Sequence, residues 1–275
     1  MFSETVQSPV LSLFSSTNSD ALRLFSTHSD PSLPAGSFIH FLHDATDSPP
    51  PMRPACPISP DDDDDEATVP DSESGSPDYT LDQTVLHIQS PTLRTTYIHS
   101  PPIHSSTLPP DGAVRERLND LHVKHSWMHV QVRNMRRDWS LEVGLVDQAG
   151  RTGIVRLSTF QKQPRLITNP SRIALLHLPL AFPHSSSRPL TAWSTLSLHL
   201  PYYLQYFKSL SLLSSDDHVR IPTTTNLPVG TYSHVSYVRV YATCRLRRIW
   251  FADSGSNQEL LPWEFQLYGF EYQER

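Results

Sequence analysis

The clearest alternation of apolar and polar residues lies between residues 236 and 253. A period of two is typical of a strand that buries one face and exposes the other. The alternation breaks after Arg247 and starts again at Arg248, which indicates a bulge or a strand end. The segment is therefore predicted to be a strand with an apolar inner face and a basic outer face. The inner positions are Val238, Val240, Ala242, Cys244 and Leu246, and the outer ones are Arg239, Tyr241, Thr243, Arg245 and Arg247.

Short segments with similar patterns recur along most of the chain and predict roughly nine to eleven strands. Helical patterns are few and short, and they predict turns or one brief helix at residues 114–118, 202–212 and 261–265. Many short strands separated by turn signals are typical of an all-β antiparallel sandwich or jelly roll, here with one or two short helices. The predicted strands are residues 10–14, 22–25, 38–42, 79–89, 94–99, 127–132, 139–146, 152–157, 172–178, 195–200 and 267–272.

Proline is abundant and glycine is scarce, with 25 and 9 residues among 275. Much of the proline lies where apolar runs are missing, and such segments bury too little surface to offset the entropy of ordering them. The chain is predicted to be one domain, 1–275, interrupted by a disordered Ser/Pro/Asp-rich insertion at about 43–78 and by loop insertions at about 103–120 and 208–234. The net charge of −6 comes largely from the run Asp61 to Glu66. That run is interpreted as a solvated segment.

No arrangement of residues predicts catalysis or a bound cofactor. The sequence has no nucleophile elbow, no phosphate-binding glycine loop and no paired helical His-Glu motif. His122, His125 and His129 have spacings that suit a metal on a helix, but they lie in strand-like surroundings where they would not share a face. No metal site is predicted. Two cysteines and the missing secretion and membrane patterns predict an intracellular protein that is neither secreted nor membrane-spanning.

The predicted basic strand face is the best candidate for a functional surface. Guanidinium groups bind carboxylates in a bidentate manner, and tyrosine adds rigid contact area, so this face suits an acidic protein partner. A solvated strand face whose charges prevent edge-to-edge aggregation explains the same residues equally well on physical grounds alone. The partner-binding candidates are Arg239, Tyr241, Arg245, Arg247 and Arg248, together with Arg133, Arg136 and Arg137 in the predicted loop between the strands 127–132 and 139–146.

The strand at residues 236–253, followed by residues 259–268, resembles the C-terminal signature of the cilia- and flagella-associated protein 20 family. Residues 1–2, 7–13, 84–88, 95–98 and, more loosely, 121–166 are similar to other segments of that family in the same order. The resemblance implies a β-sandwich and a structural protein at the junction of the ciliary doublet microtubule, in contact with tubulin and neighbouring junction proteins. It also implies partner contacts from the matching arginines. Trp263 and Phe265 match the closing segment of the family, and the size of their apolar surface predicts that they anchor the core.

Two other functions compete with the ciliary one. The first is a non-ciliary interaction module, in the nucleus or elsewhere, that uses the same sandwich for another acidic partner. The second is a carbohydrate-binding module, which needs exposed aromatic side chains along one face. The sequence offers Trp127, Trp139, Trp193, Tyr202 and Tyr203 for that face, and buried tryptophans would remove this alternative.

Overall fold

The computed structural model describes residues 6–50, 81–103, 120–169, 172–182, 192–209, 212, 227–255 and 262–267. These residues form thirteen strands, one short helix, α1 (Leu200–Leu204), that continues into a 3-10 turn (Gln205–Lys208), and a second 3-10 turn (Trp263–Phe265). In chain order the strands are β1 (Val10–Ser15), β2 (Ser26–His28), β3 (Phe38–His43), β4 (Thr84–Gln89), β5 (Tyr97–Ser100), β6 (Trp127–Asn134), β7 (Ser140–Asp147), β8 (Thr152–Ser158), β9 (Arg165–Asn169), β10 (Arg172–Pro179), β11 (Trp193–His199), β12 (Tyr232–Tyr241) and β13 (Cys244–Ala252).

The strands form two sheets. The six-stranded sheet has the order β11, β6, β13, β4, β3, and β1 pairs with the second half of β13. The seven-stranded sheet has the order β2, β5, β12, β7, β8, β10, β9. Neighbouring strands run antiparallel except β8 and β10, which are parallel. The predicted all-β sandwich with one short helix is confirmed.

The hydrophobic core lies between the two sheets and takes alternate residues from each strand. Val130 and Leu246 contribute from the six-stranded sheet, and Val143 and Val240 from the seven-stranded sheet. Burying a side chain of this size stabilises the fold by about 1.5–3 kcal/mol. Because alternate residues point into the core, the intervening residues lie on the outer face of each sheet.

The segment at residues 236–253 is not one strand, as its alternation predicted. It forms β12 and β13, which belong to different sheets and are joined at Ala242 and Thr243. The alternation runs through the junction because both strands turn their apolar side chains towards the same core. Of the two alternatives predicted for the break at Arg247, the structure has the bulge and not the strand end, since the register between β13 and β6 shifts between Leu246 and Arg248 and β13 continues to Ala252.

Other predicted elements differ at particular places. Residues 22–25 form a turn, and the next strand, β2, begins at Ser26; β9 was not predicted. The helix begins earlier than predicted, at Leu200, with Pro201 in its first turn, where a missing N–H is tolerated. The predicted turn at 261–265 is present as a 3-10 turn. The predicted helical turn at 114–118 and most of the predicted strand at 267–272 lie outside the described residues.

The predicted insertions overlap the fold at their ends. Asp44, inside the range 43–78, is buried with 1% exposure, and Gly230, inside the range 208–234, donates its backbone N–H to Asp147. Residues 51–78, 104–119, 210–211 and 213–226 of these ranges lie outside the described residues. Among the helices that the structure describes, none is long and apolar enough to cross a membrane.

Candidate interaction surface

The eight candidate partner-binding residues do not form one surface. Arg239 and Tyr241 lie on β12, on the outer face of the seven-stranded sheet. Arg245 lies on β13, on the outer face of the six-stranded sheet, which is the opposite side of the sandwich. Arg136 and Arg137 are exposed in the loop between β6 and β7. The remaining candidates are in the six-stranded sheet: Arg133, Arg247 and Arg248.

On the six-stranded sheet, Arg133 and Arg245 share the carboxylate of Asp44. Asp44 Oδ1 accepts hydrogen bonds from Arg245 Nη1 at 2.7 Å and from Arg133 Nη1 at 2.8 Å. Its Oδ2 accepts the indole N–H of Trp193 at 2.7 Å and the backbone N–H of Leu81 at 2.9 Å. Arg245 is only 4% exposed. Its guanidinium group therefore serves the fold itself.

Arg247 and Arg248 contact the C-terminal segment at residues 262–267. Arg247 donates to the side chain of Gln131 and to the backbone carbonyls of Glu264 and Gln266. The guanidinium of Arg248 lies 4.8 Å from the ring centre of Phe265, which is a cation–π distance. On the outer face of the six-stranded sheet, Asp44 thus covers one pair of arginines and the C-terminal segment covers the other.

Phe265 was predicted to anchor the core, and it is buried with 7% exposure. It lies outside the main core, however, with its ring edge-on to Trp250 at 5.3 Å on the outer face of the six-stranded sheet. The side chain of Trp263 lies outside the described residues. Phe265 therefore fastens the C-terminal segment to the sheet.

A row of charged residues crosses the outer face of the seven-stranded sheet. The pairing registers place Arg239 beside Glu142, Glu142 beside Arg156, and His177 between Arg156 and Arg165. Glu142 is 2% exposed and accepts a hydrogen bond from Arg156 Nε at 2.6 Å. Arg239 Nη1 lies 3.5 Å from the other oxygen of the same carboxylate. One buried carboxylate is therefore shared by two guanidinium groups.

Three tyrosines surround Arg239. Its guanidinium lies 4.8 Å from the ring centre of Tyr97, 5.6 Å from that of Tyr237 and 5.9 Å from that of Tyr241. Nη1 also donates to the hydroxyl of Tyr241 at 3.1 Å. Nε of Arg239 is buried and has no hydrogen-bond partner among the described residues. We call this surface the arginine–tyrosine face; it comprises Tyr97, His99, Glu142, Arg156, Arg165, His177, Tyr237, Arg239 and Tyr241.

The arginine–tyrosine face carries net positive charge at neutral pH. Burial lowers the pKa of His99 to about 4. Burial, with help from the charge of Arg156, also lowers the pKa of His177. Both imidazoles are therefore neutral near pH 7. Three arginines against one carboxylate leave an excess of two positive charges on the row.

Gly144 makes room for Tyr237 on this face. A Cβ atom at Gly144 would lie 2.5 Å from Cδ1 of Tyr237 and would also meet Ser236 Oγ. We expect Gly144→Ala to lower the free energy of unfolding by about 1–3 kcal/mol, because the ring must move. Urea denaturation measures the change. Gly36→Ala is the control, since its Cβ would meet Pro91 at an ordinary 3.5 Å; equal losses in both variants would contradict the close approach.

The aromatic residues proposed for carbohydrate binding do not line one exposed face. Trp139 belongs to the core between the sheets, with 2% exposure, and Trp193 is buried beside Asp44 with 4% exposure. Trp127 is half-buried, and Tyr202 is exposed on α1. Two of the three tryptophans are buried and the exposed Tyr202 lies on α1, so these residues do not form the exposed aromatic face that carbohydrate binding needs.

The histidine trio 122, 125 and 129 does not converge. Nε2 of His125 contacts the carbonyl of Ser8 at 2.7 Å, and Nδ1 of His129 contacts Ser197 Oγ at 2.9 Å. His122 instead lies near Asp120 and His234. The spacing of the three histidines therefore does not produce a shared site.

Several residues of the arginine–tyrosine face were missed by sequence reasoning. Glu142 and Arg156 alternate with apolar neighbours on β7 and β8, which predicts that they point outward. That signal does not show that they meet Arg239, which lies 97 residues from Glu142 in the chain. Tyr97 and Tyr237 carry the same kind of signal, and Arg165 lies on β9, which was not predicted.

Comparison with known proteins decides the family. The family model described as CFA20 domain matches residues 74–210, which include β4 to β11 and α1. The chain is a divergent member of the CFA20 domain family. It is also similar to cilia- and flagella-associated protein 20 of Chlamydomonas reinhardtii, with 24% identity over 195 residues, 70% of this chain and 77% of that protein.

The CFA20 domain match and the candidate surface overlap in part. Glu142, Arg156 and Arg165 lie within the matched residues, whereas β12 and β13 lie beyond them. The arginine–tyrosine face is therefore assembled from strands inside and outside the matched segment.

Proposed function

We propose that this CFA20 domain protein is a non-catalytic structural component of the cilium or flagellum that binds protein partners. Its family and the name of its Chlamydomonas relative support the ciliary setting. We further propose that it acts at the junction of the doublet microtubule, in contact with tubulin and neighbouring junction proteins. An acidic partner surface of this kind suits an exposed basic face.

The arginine–tyrosine face is the surface that we assign to partner contact. The observation that carries this assignment is the row that contains three arginines and one carboxylate, with an excess of two positive charges. The side chains of Arg156 and Arg239 remain 32% and 26% exposed although both pair with Glu142, so an incoming acceptor can contact them. Tyrosine and arginine are enriched among residues that dominate binding energy at protein interfaces.

The acidic residues support a non-catalytic role. Glu142 is bound by Arg156 and Arg239, and Asp44 by Arg133 and Arg245. The buried carboxylate of Asp147 accepts the backbone N–H groups of Ala149, Arg151 and Gly230 and the guanidinium of Arg151. Carboxylates that are already occupied in this way stabilise the fold and are poor general bases.

Co-sedimentation with microtubules over a salt series tests the proposal. Arg165 is exposed at one end of the row, so Arg165→Glu changes the charge of the face without removing a partner from Glu142. We expect the wild type to bind with an affinity that falls as salt rises. Arg165→Glu should weaken binding about tenfold, or ~1.4 kcal/mol.

Arg23→Glu is the matched control, because Arg23 is exposed in the turn between β1 and β2 and lies outside the face. It should bind like the wild type. Equal weakening in both variants would indicate that only net charge matters. A folded wild type that does not bind microtubules at low salt would overturn direct tubulin contact.

A further inference from the structure

Asp120, His122 and His234 form a cluster beside the N-terminal half of β12. The backbone of residues 121–123 pairs with this strand: Leu121 N–H donates to the carbonyl of Ser236 at 2.9 Å, and Val123 forms an antiparallel bridge with Val235. Both valines are fully buried. Because side chains alternate along paired strands, His122 and His234 point away from the core on the same side.

The side-chain atoms of the cluster are close together. His234 Nε2 lies 2.9 Å from Asp120 Oδ2, and His122 Nδ1 lies 3.7 Å from Asp120 Oδ1. One ligand atom from each residue can be chosen so that all three lie within 4.8 Å of one another. Bonds of about 2.1 Å in a tetrahedral zinc site separate neighbouring ligand atoms by roughly 3.4 Å. Small side-chain rotations therefore suffice to bring the three onto one ion.

Neighbouring groups hold these side chains in place. The backbone N–H of His122 donates to Asp120 Oδ1 at 2.8 Å, which fixes the carboxylate. Ser233 Oγ lies 3.0 Å from His234 Nδ1, so the ring nitrogen that faces Asp120 is Nε2. Polar contacts to the second ring nitrogen are typical of metal-binding histidines, because they orient the imidazole.

The N-terminal segment adds to this arrangement. The side-chain amide of Gln7 donates to the carbonyl of His122 at 2.7 Å, and its oxygen accepts the backbone N–H of Lys124 at 2.9 Å. His122 itself adopts a left-handed backbone conformation with φ of 55°. Such conformations are uncommon for residues other than glycine and persist where surrounding contacts hold them.

We propose that Asp120, His122 and His234 bind one divalent transition-metal ion of the zinc type. Two imidazoles and one carboxylate are ligands that Zn²⁺ accepts, and three protein ligands leave a fourth position for water. All three side chains are half-buried, so an ion reaches them from solvent. The bound ion joins Asp120 and His122 to His234 on β12, which lies 112–114 residues further along the chain.

Calorimetric titration of the full-length chain with Zn²⁺ tests this proposal. The protein is first treated with EDTA and dialysed, in a Cys56→Ser background, because a thiolate is a competing zinc ligand. We expect one equivalent of Zn²⁺ to bind and the melting temperature to rise with Zn²⁺ concentration. His234→Ala and His122→Ala should each weaken that binding at least tenfold and abolish the rise in melting temperature.

His40→Ala is the matched control, since His40 is exposed on β3 and lies outside the cluster. It should bind Zn²⁺ like the background protein. The metal-free melting temperatures of all variants show whether each remains folded. Titration with Co²⁺ adds a second readout, because its visible absorption reports tetrahedral coordination through imidazole nitrogen.

Two results would overturn the metal site. The first is Zn²⁺ binding of the folded His234→Ala and His122→Ala variants with unchanged affinity and stoichiometry. The second is a background protein that binds no Zn²⁺, which would show that the cluster is only an ion pair between Asp120 and His234 beside His122. Neither result bears on the microtubule experiment, so the two proposals fail independently.

Discussion

Asp44→Asn should lower the free energy of unfolding by about 3–5 kcal/mol. Asp44 is 1% exposed and is the shared acceptor for Arg133 and Arg245, whose own side chains are largely withdrawn from water. Removing one partner of a buried ion pair leaves the other charge uncompensated, and losses of this size are typical. Asparagine also replaces one acceptor oxygen with an NH₂ group, which is a donor. That group then faces other donors, either the guanidinium groups or the indole N–H of Trp193. Urea denaturation at pH 7 measures the loss.

Asp47→Asn is the control for Asp44→Asn. Asp47 also pairs with Arg245, but its side chain is 70% exposed. An exposed ion pair contributes about 0–1 kcal/mol, so the free energy of unfolding of this variant should remain close to that of the wild type. Similar losses in the two variants would show that Asp44 is not the buried centre of the network.

The pH dependence offers a second check on Asp44. Burial alone would raise its pKa, but hydrogen bonds from Arg245, Leu81, Trp193 and Arg133 hold the pKa below the ordinary value of 3.8. The ionised carboxylate therefore stabilises the fold at pH values above 3.8, and this stabilisation is lost as the pH falls through the lower folded-state pKa. The difference in the free energy of unfolding between the wild type and Asp44→Asn should therefore become smaller as the pH falls through that acidic range.

The sequence pattern was sufficient to identify the inner faces of the strands. Val238, Val240 and Leu246 were predicted to be inward, and they are buried between the sheets. The same alternation could not show that the chain changes sheets at Ala242 and Thr243, because a strand in either sheet turns its apolar side towards one shared core. The outward arginines were therefore grouped on one surface although they lie on two.

Long-range pairing explains the rest of what the sequence did not predict. Asp44 lies 201 residues from Arg245, in a segment whose composition indicated an insertion. His234 lies 114 residues from Asp120. Periodicity describes which way a side chain points within its own strand, and strand order decides which side chains it meets. Strand order follows from the global packing of the strands, which local patterns do not encode.

The two outer faces differ in how their arginines are used. On the six-stranded sheet, Asp44 and the C-terminal segment cover Arg245, Arg247 and Arg248. On the seven-stranded sheet, the side chains of Arg156 and Arg239 remain 32% and 26% exposed although they pair with Glu142. The partly exposed guanidinium groups of the second face lie in one row, which a partner can contact. This difference is why charge reversal at Arg245, which would place a carboxylate beside Asp44, tests folding rather than binding.

Glu142→Gln should lower the free energy of unfolding by about 2–3 kcal/mol. Glu142 is 2% exposed and is the only carboxylate that the described residues place between Arg156 and Arg239. The loss is expected to be smaller than at Asp44, because both guanidinium groups retain contact with water and glutamine keeps one acceptor oxygen. Urea denaturation measures it. Asp253→Asn is the control, because Asp253 is an exposed carboxylate that directly follows β13 and lies outside the row; it should change stability by less than about 0.5 kcal/mol.

The same variant separates stability from binding. Removing the one negative charge of the row makes the arginine–tyrosine face more positive, so the folded fraction of Glu142→Gln should bind microtubules at least as tightly as the wild type. Arg165→Glu should do the opposite, weakening binding with little loss of stability, because Arg165 is exposed at the end of the row. If folded Glu142→Gln binds more weakly than the wild type, the positive charge of this face does not drive binding, and the assignment of this face to an acidic surface fails.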